Sequence, residues 1–204
     1  MGLARVFVQP MEPNDSYELL RNLTSPVVAI TARRGDKLNG MISDGAIRAS
    51  IVPDIPRAAV FIHKVNYSHD MVFETGRFGL HILHDGQFDV IHKLGFFSGR
   101  EHDKLADIPH RLGQLGLPVL EDCYAAFECD VINVMDTGAS TCFLGEAKAV
   151  HRGPGLRPMS PAYLREHMPA SWKDEYVRNL GWAQDWARSK SRDVRAVVWR
   201  GLTA

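Results

Sequence analysis

The sequence is short of cysteine, has no surplus of either charge and contains no long apolar run. Its three cysteines, Cys123, Cys129 and Cys142, include no CxxC pair and their number is odd. That argues against a disulfide framework or a zinc knuckle, so all three are expected as reduced, packed thiols of a cytoplasmic protein. Lys plus Arg and Asp plus Glu number 24 each, giving a formal net charge of zero. Nothing in that balance attracts nucleic acid or an anionic membrane, and any phosphate site has to be local. No stretch approaches the ~20 apolar residues of a membrane span. The N-terminal residues carry Arg5 and early acids but no run suited to a signal peptide. GxSxG, GxxxxGK[ST] and GxGxxG are all absent, which removes the sequence support for a nucleophile-elbow hydrolase, a P-loop or a Rossmann site. The nine histidines show no convincing ligand spacing, and no metal is expected.

What remains is an ordinary globular composition, 45% apolar over 204 residues. A chain of this size buries roughly 70% of its extended surface and needs no staples. Residues 1–13, with Pro10 and Pro13, are expected as an extended arm, and Asp15 with Glu18 as a helix start. That helix would turn Tyr17, Leu20 and Leu23 to one face. Pro26 opens a β-branched strand over 27–32, followed by a polar hairpin tip over 33–37. Asn39-Gly40 reads as a tight turn, because both residues tolerate positive φ. An irregular strand over 41–51 and a buried strand over 57–64 follow. The period predicts short helices over 68–74 and 86–94, a strand over 78–83, and a glycine-punctuated loop over 95–104. Ala125–Met135 and Cys142–Val150 read as long strands joined by a turn at Asp136-Thr137-Gly138. Many short strands with turn punctuation favour an antiparallel barrel. Beyond a loop at 151–155 the chain turns helical. Ser160-Pro161 starts one helix and Ser171 is expected to cap a second, with Trp172, Tyr176, Leu180, Ala183 and Trp186 at helical spacing. That stripe reads as a packed face, or as a lid over a ring-shaped ligand. Val194–Trp199 reads as an added strand.

Several residues suit a phosphorylated, planar ligand. Backbone amides and hydroxyls with one or two cations suit a phosphate, and small residues beside apolar walls suit a flat ring. Ser68 sits at a helix start beside His69, next to His63 and Lys64 at a strand end. Arg48-Ala49-Ser50 closes a small-residue strand, and Ser98, Arg100 and Lys104 lie on a loop able to close over a ligand.

The ordered run of Pro26–Thr31, Asn39-Gly40-Met41-Ile42, Arg48-Ala49-Ser50, His63-Lys64, Tyr67-Ser68-His69, Thr75–Phe78, Ser98-Gly99-Arg100 and Asp103-Lys104 resembles the flavin-reductase-like family over about residues 20–152. The resemblance implies a mainly β fold with helices: an FMN-binding split β-barrel, Greek-key-like and antiparallel. The core with its arm would occupy 1–155, and a helical extension over 156–204 would pack on that core or on a dimer partner. It implies a homodimer with FMN near the interface. The Asn39-Gly40-Met41 and Ala49-Ser50 segments would grip the ring, Lys64 and Ser68 the phosphate, and Lys104 would be a nearby cation. It also implies hydride transfer from NAD(P)H to flavin, with a monooxygenase or other redox protein as partner. No acid or base is named as catalytic.

Two departures stand out. Where many of these reductases carry Gly-Asp-His-Thr, this chain has Gly138-Ala139-Ser140-Thr141, without the acid or the histidine associated with the nicotinamide. Pro53-Asp54-Ile55-Pro56 is two residues longer than the usual Pro-Pro turn. The first departure motivates a second reading, an FMN-binding electron-transfer protein without nicotinamide turnover. A third reading is a binding module for another anionic ring.

Overall fold

The computed structural model describes residues 12–154 and 157–200, and its secondary structure is mainly β. Seven strands form one antiparallel sheet: β1 (Val28–Arg34), β2 (Lys37–Ser43), β3 (Ala46–Arg48), β4 (Arg57–His63), β5 (Arg77–Ile82), β8 (Ala125–Asp136) and β9 (Ser140–Arg152). Their order across the sheet is β2-β1-β5-β8-β9-β4-β3. A separate hairpin pairs β6 (His110–Leu112) with β7 (Pro118–Leu120). The helices are α1 (Pro13–Leu20), α2 (Tyr67–Thr75), α3 (Phe88–Gly95), α4 (Pro161–His167) and α5 (Ala170–Arg188).

The apolar run that opens the sheet is unbroken because β1 is buried on both faces. Val28, Ile30 and Ala32 join Val60, Ile62, Phe78 and Phe143 in one core. Val27 and Ala29 join Leu83, Ile91, Leu94 and Met159 in another. Met71 and Val72 of α2 enter the first core, as their spacing predicts, and Ile91 and Leu94 of α3 enter the second. Each such side chain contributes about 1.5–3 kcal/mol by leaving water. Gly76 ends α2 in the left-handed region (φ 70°), its amide donating to Val72 O at 2.8 Å. Cys123 and Cys129 are buried and Cys142 is half-buried, all three as free thiols. Burial pushes Cys123 up to about 11 and Cys129 up to about 12.

Several local expectations change. Asn39-Gly40 is not a turn: it lies inside β2, where Asn39 pairs with Ala32 and Gly40 with Thr31. The reversal falls at Gly35-Asp36, inside the hairpin tip expected over 33–37, with Gly35 at φ 60°. Gly40 is needed for close approach, since a Cβ there would meet Leu94 Cδ2 at 2.9 Å. The stretch 41–51 divides into the end of β2 and the short β3. The first helix begins at Pro13 and leaves Tyr17, Leu20 and Leu23 exposed. Of the expected arm, residues 1–11 lie outside the described residues, as do Gly155 and Leu156 of the boundary loop. Ser160 caps α4, accepting from the Tyr163 amide at 3.1 Å, but α5 begins after Pro169 and places Ser171 inside its first turn. Val194–Trp199 forms no strand; it runs as a tail that seats Trp199 in the first core.

Candidate functional site

Between the β2 edge and the C-terminal helix lies a cleft of ≈ 620 Å³. One wall is β2, presenting Asn39, Met41 and Ile42. The turn from β4 into α2 adds His63, Asn66, Tyr67 and Ser68. The C-terminal end of α3 and the loop after it add Leu94, Phe96, Ser98, Gly99, Arg100 and Lys104, and α5 closes the remaining side.

The start of α2 faces this cleft. Of its first-turn amides, that of His69 donates to Asn66 O at 3.0 Å, those of Tyr67 and Ser68 have no acceptor among the described residues, and Asn66 makes no side-chain cap. Ser68 is buried, and its Oγ accepts from Asn39 Nδ2 at 2.9 Å. Asn39 is itself 2% exposed, and its Oδ1 is the buried side-chain polar atom without a partner among the described residues. Gly99 passes directly over it: a Cβ at Gly99 would fall 2.0 Å from Asn39 Oδ1. The fit of loop on strand therefore requires a glycine at that position.

Two long cationic side chains line the cleft, and they are not equivalent. Arg100 donates to Asp70 Oδ2 at 2.7 Å and to Val65 O at 2.9 Å, with its guanidinium 5.3 Å from the centre of the Tyr67 ring. Arg34 lies over the same ring at 5.4 Å, bonds the Tyr67 hydroxyl at 2.9 Å and pairs with Glu74. Arg100 is thus tied down and neutralised. Lys104 is only 8% exposed, and its Nζ donates to Leu94 O at 2.8 Å, with no carboxylate partner among the described residues. Burial pushes its ammonium down to about 8. A buried cation without a counter-charge is costly, and an anionic ligand is the natural remedy.

The residues expected from the sequence divide into groups. Asn39, Met41, Ile42, His63, Ser68, Ser98, Arg100 and Lys104 line this one cleft. Gly40 stands behind it against Leu94. Arg48 and Ser50 line a separate apolar groove of ≈ 500 Å³, and Ala49 bonds the Arg57 carbonyl through its amide. Lys64 pairs with Asp136 at 2.6 Å, and that ammonium, with the Gly138 and Arg195 amides, holds Asp136 below the usual carboxylate range. His69 contacts Thr141 Oγ1 at 2.9 Å and stacks near Phe73, with burial lowering its pKa. Sequence reasoning passed over Asn179 and Trp182, which line the cleft from α5. Their i, i+3 spacing was the available signal, masked by an alternative stripe one position around the helix.

A profile of the flavin reductase-like domain matches residues 20–172. The chain belongs to the flavin reductase-like family. Members of this family with known structures share its fold. An FMN-binding protein from Thermus thermophilus, solved with cyclohexenone bound, superposes with a TM-score of 0.63 at 28% identity, covering 76% of this chain and 86% of that one. Component B of a nitrilotriacetate monooxygenase from Mycobacterium thermoresistibile gives 0.60 at 28% identity, over 71% and 80%. In sequence, a high molecular weight rubredoxin from Moorella thermoacetica is 33% identical over 152 residues, 72% of this chain and 64% of that protein's length. The monooxygenase reductase subunit HsaB from Mycobacterium tuberculosis is 25% identical over 174 residues, 81% and 90%. The split-barrel architecture expected for the flavin reductase-like family is therefore the architecture of this chain.

Proposed function

We infer that this protein is an FMN-dependent oxidoreductase and that the cleft between β2, α2 and α5 holds the cofactor. The observation that carries this reading is Lys104, a buried ammonium lining the cleft with no carboxylate partner among the described residues. FMN fits the groups present. Its anionic parts suit Lys104, Ser68 and the Tyr67 and Ser68 amides at the start of α2, and its flat ring suits Met41, Ile42, Leu94 and Phe96. When bound, FMN supplies the hydride and electron transfer. The chain's residues bind, orient and exclude water, and no side-chain acid or base is assigned to the chemistry. Relatives named as a flavin reductase from Pseudomonas putida and an NAD(P)H ferric-chelate reductase from Archaeoglobus fulgidus support the reaction class and NAD(P)H as reductant. The HsaB relative supports a monooxygenase as redox partner.

The test is direct. Titration of purified protein with FMN should perturb the flavin spectrum to an endpoint of one FMN per chain, and NADH or NADPH should then be oxidised aerobically. No saturable spectral change removes the cofactor reading.

A second reading, electron transfer without nicotinamide turnover, draws on the β8–β9 turn. That turn lacks the acid and histidine, and the tail covers it: a Cβ on Gly138 would meet Ser191 O at 2.6 Å. Stoichiometric FMN with no oxidation of either nicotinamide favours this second reading. Homodimerisation is part of the proposal, supported by the apolar groove beside β3, whose rim exposes Ile47, Ile51 and Val52.

A further inference from the structure

Helix α5 and the tail behind it lie almost wholly beyond the matched family domain, which ends at Trp172. Yet Asn179, Trp182 and Ala183 of α5 line the cleft. Spaced i, i+3 and i+4, they share one helix face. No residue of α5 is fully buried: Tyr176, Leu180, Ala183 and Trp186 are half-buried, and Trp182 is exposed.

It is fastened at its two ends. At the N-terminal end the Trp172 ring stacks on His92, with centroids 4.3 Å apart and planes 18° apart, and lies 5.8 Å from Phe96. His92 belongs to α3 and Phe96 follows it, the element that also walls the cleft. Beyond the C-terminal end, the Arg195 amide donates to Asp136 Oδ2 at 3.3 Å. Trp199 is buried there, its indole N–H donating to Val131 O at 3.2 Å. An element anchored at both ends and only half-buried between them is a strap. At that middle stands Trp182, 60% exposed. Among the described residues its ring stacks on no other aromatic ring and its N–H has no hydrogen-bond partner. A large ring left bare at the mouth of a cleft is a free stacking surface.

We propose that α5 is the cover of the cofactor cleft and that Trp182 stacks on the planar ring held there, making FMN a retained cofactor and not an exchanging substrate. This rests on the cofactor reading above. A retained cofactor passes its electrons to an acceptor that comes to the cleft, instead of leaving as free reduced flavin.

The experiment uses full-length protein loaded with FMN and follows flavin fluorescence during release on dilution. Trp182→Ala should release FMN roughly tenfold faster or more, and the bound flavin should become more fluorescent because a stacked indole quenches it. Trp182→Phe should restore most of the slow release. Trp186→Ala, also on α5 but outside the cleft lining, should leave release unchanged. All three variants should melt within about 4 °C of the parent, because no α5 side chain is fully buried. Unchanged release and fluorescence in Trp182→Ala, with FMN still bound one per chain, overturns the cover and leaves the cofactor reading standing. Failure of the parent protein to bind FMN overturns both.

Discussion

Two lysines show how a residue's role depends on its surroundings. From the sequence both are candidate ligand contacts, with the resemblance placing Lys64 at the phosphate and Lys104 as a nearby cation. Folding brings Asp136, 72 residues away, against Lys64 and, among the described residues, brings no acid against Lys104. Lys104→Met should therefore act in opposite directions on the two forms of the protein. FMN affinity should weaken roughly 10–100-fold, taking ~1.5–3 kcal/mol for a charged hydrogen bond. The apo-protein should be no less stable at pH 7 in urea unfolding, because an uncompensated buried charge has been removed. The pH dependence follows from the same residue. Its folded value is about 8 against an ordinary 10.5. Below pH 8 both the folded and unfolded forms carry the proton; between 8 and 10.5 only the unfolded form does. The Lys104 contribution to apo stability therefore rises with pH across that window. FMN affinity runs the other way, steady below about pH 8 and weakening above it as the folded ammonium is lost. Titrations across pH 6–10 that give the same profile for the parent and Lys104→Met would exclude Lys104 as the counter-charge.

At the scale of elements, the longer pieces were legible because their periods are strong. The β1 run, the β8–β9 pair and helices α2 and α3 all appear where the alternation or helical spacing places them. The misreadings share one cause: a local signal was overruled by a distant contact. Asn39-Gly40 has turn chemistry, yet Asn39 is occupied with Ser68 and Gly40 admits Leu94, so both stay in the strand. The three-residue strands β6 and β7 carry too little pattern to be seen. Val194–Trp199 has strand composition, but its neighbours in space offer Trp199 a pocket instead of a free edge. Trp199→Ala should cost roughly 3–5 kcal/mol in chemical denaturation, as expected for a large core side chain. Because that anchor holds the end of the strap, the same variant should also release FMN faster. A loss below ~1 kcal/mol would show that the tail is not part of the core.

At the scale of the whole molecule, the cleft and the apolar groove are separate hollows, and the sequence ran them together. Arg48, Ala49 and Ser50 follow Asn39–Ile42 closely in the chain, yet Arg48 and Ser50 line the apolar groove beside β3 and not the cleft. That groove is the surface we assign to the second copy of the chain. Light scattering should report twice the chain mass, and Ile47→Asp, placing a charge on the exposed rim, should shift the protein towards monomer. A parent protein that is monomeric at tens of micromolar would count against the assignment.

The sequence by itself determined the mainly β character through alternation, and the order of its motifs carried the resemblance that implies a split barrel and names most of the residues lining the cleft. Only the tertiary structure decided which lysine meets an acid, which tryptophan faces the cleft and which of the expected residues line it. Those depend on contacts between residues far apart in sequence: burial removes water from a charge, and the partner that would replace that water is chosen by the fold.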